Sequence, residues 1–188
     1  MTNPEQIKHD LDYIASAVRR EDAARGVPAI YFLWAAIVSV GFALPDFAPS
    51  MAGPFWFVCG IGGGLLSWYL GARHGRHHGI NDKALGRRYG LHWTIGGIGF
   101  LLCVLPAATG RLEFTDVVGN YLLVGGLVYA LAGVHLERPL MWSGLAMLGG
   151  YVVLNVLTTS YVWTITGVLI ALSLVWSGIS SGKQESGE

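Results

Sequence analysis

Charged residues leave five long stretches of this chain untouched: Val27–Leu44, Met51–Ala72, Tyr89–Gly110, Val117–Val134 and Pro139–Gly182. The last runs for 44 residues, about twice the length of helix that crosses a bilayer. It must fold back, and the polar Thr158-Thr159-Ser160 marks the turn. The run therefore divides into Pro139–Leu157 and Tyr161–Gly178. Six segments of 18 to 22 residues result, each of membrane-crossing length. A bilayer core has no water for unpaired backbone groups, so such segments close their hydrogen bonds within helices. The pattern predicts an all-α, polytopic membrane protein: a bundle of six transmembrane helices, with Pro45 and Pro106 closing the outer ends of the first and third.

Ahead of the first span the pattern changes. Asn3, Pro4 and Gln6 form a helix start, and Ile7, Leu11, Ile14 and Val18 recur on one helical face. Gly26 and Pro28 end the segment. The predicted division is residues 1–26 as a cytoplasmic amphipathic helix, 27–182 as the six-span domain and 183–188 as a cytoplasmic tail. Within residues 4–25 acids balance bases, unlike a basic membrane-seeking helix. The helix either lies along the bilayer or offers its apolar stripe to a protein partner. No continuous apolar h-region of a signal peptide precedes the first span.

Composition agrees. Apolar residues make up 53% of the 188, with 27 Gly besides, and only 13% are charged. A soluble domain averages about 25% charged residues, so a soluble globule is excluded. With 12 basic and 12 acidic residues the net charge is zero, and no basic face for nucleic acid remains. Cys59 and Cys103 sit in apolar runs as small hydrophobes, with no metal or redox spacing.

The basic residues set the orientation. With six spans, 11 of the 12 fall on the side of the termini, and Arg111 alone falls on the other. Cytoplasmic loops carry the excess of Lys and Arg, so both termini are expected in the cytoplasm and the protein in the plasma (inner) membrane. Asp46, Glu113 and Asp116 join Arg111 outside. Trp and Tyr cluster near span ends, as an interfacial belt does.

Two patterns concern packing. Gly63-Gly64-Leu65-Leu66 with Gly71 parallels Gly125-Gly126-Leu127-Val128 with Gly133, and the odd spans carry Trp34, Trp93 and Trp142. Three helical hairpins of one orientation would produce this. Small residues also form stripes: Gly60, Gly64, Ser67 and Gly71 in the second span, Gly126 and Ala130 in the fourth. Such stripes let helix backbones approach closely in lipid, and they are compatible with a homo-oligomer. Asn155 is expected to bond across helices.

Candidate chemistry is sparse. All six histidines fall at the cytoplasmic end, with His74, His77 and His78 in a loop. His74, His92 and His135 reach similar depth on three helices, enough imidazole for a metal or haem. The competing reading is interfacial histidines that help the basic bias. No charge lies inside a span, which argues against proton coupling, and no catalytic motif appears. The leading expectation is a non-enzymatic membrane protein acting through partners, as a sensor, regulatory or assembly subunit. It needs no cofactor and binds no nucleic acid. The alternatives are a transporter or channel for a neutral or apolar solute, and a membrane enzyme or haem or metal protein using the histidines.

Overall fold

A computed structural model describes residues 6–14, 26–77 and 83–186. All secondary structure among them is helical. Residues 6–14 form α1. Six longer helices follow: α2 (Pro28–Phe47), α3 (Pro49–His77), α4 (Lys83–Ala108), α5 (Phe114–His135), α6 (Arg138–Val156) and α7 (Val162–Ser186). Five of these, all but α5, are long and apolar enough to cross a membrane, and α5 contains a shorter apolar helix, Gly119–His135. The chain has the helices of a multi-pass membrane protein.

Local chemistry explains most of the boundaries. Pro28 and Pro139 stand in the first turns of α2 and α6, where a missing N–H costs nothing and the fixed φ suits the helix. Gly110 adopts φ 70° just past α4, the left-handed end that glycine tolerates best. The backbone N–H groups of Arg111 and Leu112 then fold back onto the Pro106 carbonyl. The long apolar run breaks between Val156 and Val162, around the threonine pair.

Several expectations need correction. Pro45 and Pro106 do not close their helices; α2 runs on to Phe47 and α4 to Ala108. Each proline falls in the last turn, where the loss of one backbone bond does not end the helix. The helix α3 continues through His77, so His74 and His77 are helical residues rather than loop residues. Asn155 does not reach another helix: its Nδ2 donates to the Tyr151 carbonyl one turn back, at 2.8 Å, and it is exposed. Of the helix expected over residues 4–25, only 6–14 lie within the described residues.

The helices alternate in direction. We call the end carrying Pro28, Tyr89, His135 and Ser181 basal, and the opposite end distal. Each sequential hairpin, α2–α3, α4–α5 and α6–α7, packs on itself. The more extensive contacts lie between hairpins, α5 against α6 and α7 against α2. Among the described residues the third contact of this kind, α3 against α4, forms no packed interface. The neighbour order is thus α3–α2–α7–α6–α5–α4, an open ring. Its core runs through Tyr31, Val38, Phe42, Leu122, Tyr129, Met147, Ile170 and Leu174.

Small residues set the two tightest contacts. A side chain on Gly133 would collide with the backbone of Met141, and one on Gly144 with that of Ala130. A side chain on Gly167 would collide with the base of the Phe42 side chain. Lipid supplies no hydrophobic drive between helices, so close backbone approach carries the association.

Candidate functional site

The polar chemistry of the bundle gathers at the basal end, around Glu137. This residue precedes the first turn of α6 and would ordinarily cap it, yet it makes no side-chain cap. Its carboxylate instead accepts the Tyr31 hydroxyl on Oε2 at 2.6 Å and the Tyr89 hydroxyl on Oε1 at 2.7 Å. One carboxylate on the α5–α6 connection thereby ties α2 to α4. Both bonds are charge-assisted and short, the stronger kind of hydrogen bond. Gly26 backs onto Ser181 and the Glu137 carboxylate, with no room for a side chain.

Beside this latch, α4 and α5 enclose an open depression of about 370 Å³, lined by Arg88, Leu91, His92, His135 and Leu136. His92 is anchored: its Nε2 lies 3.0 Å from the Val128 carbonyl of α5, and its ring meets the Trp93 ring edge-on. A carbonyl only accepts, so the His92 proton sits on Nε2. Below it Gly96, Gly99 and Cys103 continue the same face of α4 against Val128, Val124 and the Asn120 carbonyl. His135 and Arg88 are exposed at the rim.

The three histidines singled out from the sequence do not form one site. His92 and His135 share the depression, but His74 is not among its lining residues. Among the described residues no group of three or more His, Cys, Asp or Glu side chains could hold a metal. The reason lies in the open ring. His74 belongs to α3, which has no packed interface with α4.

The same opening relocates the small-residue stripe of α3. Among the described residues, Gly60, Gly64 and Gly71 have no atom from another helix within 4 Å of where a Cβ would stand. The face of α3 that meets α2 is one residue away. Gly63 packs on Ile37 and Trp34, and Ser67 Oγ accepts the Trp34 indole N–H at 3.0 Å. Gly126 and Ala130, by contrast, lie in the α5–α6 contact, where a Cβ on Gly126 would stand 2.7 Å from Leu148. The three tryptophans of the odd spans also diverge. Trp34 reaches Ser67, Trp93 packs edge-on against Tyr129, and Trp142 is exposed.

At the distal end the contacts are mostly aromatic. Tyr121 of α5 stands between Trp56 of α3 and Phe100 of α4, stacked on both at centroid distances of 6.3 and 5.6 Å. Here α5 bridges the separation of α3 from α4 through ring contacts. Phe42 touches both Trp56 and Trp163. Two buried polar atoms, Trp56 Nε1 and Thr166 Oγ1, have no hydrogen-bond partner among the described residues. Inside α6 and α7, Ser143 and Ser177 pair at 3.0 Å, and Ser177 also donates to the Pro139 carbonyl.

Sequence reasoning passed over Glu137, Tyr31 and Tyr89 as a unit. The available signal was an acidic residue within a basic loop, immediately before Arg138-Pro139, with tyrosines at two span starts. No family model, no curated protein and no solved structure matches the chain.

Proposed function

We propose that this chain is a six-span protein of the plasma (inner) membrane, both termini cytoplasmic, that works through a membrane partner as a sensor, regulatory or assembly subunit. The observation that carries this reading is the open ring. Only 6% of the apolar window of α3, and 6% of that of α4, is buried within the chain, against 33% for α2 and 39% for α7. The uncovered face of α3 carries Gly60, Gly64 and Gly71, the residues that let a second helix approach closely. A partner helix seated along α3 would supply the contact that α6 supplies to α5. Ile7, Leu11 and Ile14 of α1 are exposed as well, which supports a second docking surface on the cytoplasmic side. The one-sided placement of Lys and Arg supports the orientation.

The test joins topology to association. A reporter enzyme active only in the periplasm, fused after Lys183, is expected to be silent. Gly64→Leu is expected to leave the isolated chain folded while abolishing its co-migration with a partner in native membranes. A bundle that migrates as a lone chain from native membranes, with or without the substitution, would refute the reading.

A second reading, a carrier for a neutral solute, is favoured by one observation. The unpartnered Trp56 N–H and Thr166 hydroxyl are buried in the apolar bundle, where unmet polar groups are costly. Efflux of small neutral polar solutes from liposomes holding the purified chain would support this reading over the first.

A further inference from the structure

We infer that the depression between α4 and α5 is a binding site for an anionic phospholipid, with its phosphate held by Arg88 and His135 and an acyl chain lying along α4. Three observations converge. The first is charge. The lining combines one guanidinium and two imidazoles, and neither Arg88 nor His135 spends its side chain on an ion pair or hydrogen bond among the described residues. Basic pockets between transmembrane helices at the membrane boundary are suited to anionic headgroups. A guanidinium matches two phosphate oxygens at once.

The second is position. The depression lies at the basal end, where the apolar segment of α4 begins and that of α5 ends, the depth at which a headgroup meets the hydrocarbon. Arg88 falls two residues inside the apolar segment Gly86–Ala108, where a long basic side chain reaches back to the interface. The third is continuity. Leu91, part of the lining, starts a stripe of exposed apolar residues on one face of α4: Leu91, Ile95, Ile98 and Leu102. Their spacing of four, three and four keeps them on a single helix face. A free phosphate would use the cationic rim alone and make no contact with this stripe or with the Leu91 and Leu136 lining. A phospholipid uses both.

Glu137 follows the lining residue Leu136 in the chain, and both of its carboxylate oxygens already receive tyrosine hydroxyls. It therefore offers the phosphate less repulsion than an unengaged carboxylate would. The site also gives His135 a role, beside a His92 whose N–H is held by the Val128 carbonyl.

The experiment uses the full chain, purified in a neutral detergent and studied by native mass spectrometry. The probes are phosphatidylglycerol, phosphatidylcholine with the same acyl chains, and inorganic phosphate. The wild type is expected to hold phosphatidylglycerol about tenfold more tightly than phosphatidylcholine, and inorganic phosphate weakly. Arg88→Gln combined with His135→Gln is expected to remove that preference, and Arg88→Lys to keep part of it. Arg76→Gln removes a charge from the same end, outside the depression, and is expected to change nothing. Equal binding of the two lipids by the wild type would overturn the site, a result that does not depend on any variant folding. So would an equal loss in Arg76→Gln, which would mean diffuse attraction to the surface. Inorganic phosphate bound as tightly as the lipid would overturn the assignment to phospholipid.

Discussion

Asp46 at the end of α2 caps the start of α7. Its Oδ2 accepts the backbone N–H of Thr164 at 2.7 Å and the Thr164 hydroxyl at 2.6 Å. The two residues are 118 positions apart. A helix start leaves its first N–H groups without partners and favours negative charge, so a carboxylate from a neighbouring helix serves as a cap that the turn before α7 lacks. The adjacent Phe47 stacks on Tyr161 at 5.5 Å, where the backbone takes φ 61°. The partner of the Asp46 carboxylate is thus a helix terminus.

Removing that cap should loosen the distal end. Asp46→Ala is expected to cost about 1–2 kcal/mol, and Asp46→Asn less, because an amide oxygen still accepts. Equilibrium unfolding in mixed micelles, comparing the two variants with the wild type, provides the measurement. An Asp46→Ala protein as stable as the wild type would mean that α7 begins without help from α2.

The Glu137 latch predicts coupling between two helices that otherwise share no large interface. Tyr31→Phe and Tyr89→Phe should each destabilise by about 1–3 kcal/mol, as loss of a hydrogen bond to a charged group does. Because both phenols meet one carboxylate, the double variant should depart from additivity by about 0.5 kcal/mol or more. A double-mutant cycle measures it. In Glu137→Ala, replacing either tyrosine by Phe should add little further loss.

Glycines at different places should answer differently to the same substitution. Gly133→Leu would drive a side chain into the Met141 backbone and should prevent the α5–α6 contact, costing about 3 kcal/mol or more. Gly64→Leu meets open space and should change the stability of the isolated chain by less than about 0.5 kcal/mol. Thermal unfolding of both variants as purified single chains tests this. Similar losses at the two sites would show that α3 is covered within the chain.

The histidines should also separate. His92→Ala removes a hydrogen bond to Val128 and an edge-on contact with Trp93, for an expected cost of about 0.5–1.5 kcal/mol. His135→Ala, at an exposed position, should fall within about 0.5 kcal/mol of the wild type. A shared metal would instead produce large losses for His74, His92 and His135 alike. Stability curves, read beside elemental analysis, distinguish the outcomes.

What the sequence determined by itself was the set of helices. Uncharged stretches of bilayer length must hydrogen-bond internally, which made the helices from α2 onward legible, together with the break near Thr158-Thr159-Ser160. Their ends were less legible. Charge marks where a chain leaves the apolar layer, not where hydrogen bonding stops, so α3 extends past Arg73 to His77 and α2 past Pro45 to Phe47. The tertiary structure alone decided which face of each helix is covered. Around 100° separates successive residues on a helix, so moving the buried face of α3 by one position turns the seam from Gly64 to Gly63. The pairing of Asp46 with Thr164, and of Glu137 with Tyr31 and Tyr89, joins residues too distant in the chain for any local periodicity to link. Asn155 shows the converse: its amide donates to a carbonyl one turn back in its own helix. The histidines looked alike in depth because depth follows from hydropathy, whereas convergence follows from the neighbour order of helices. That order left α3 and α4 apart.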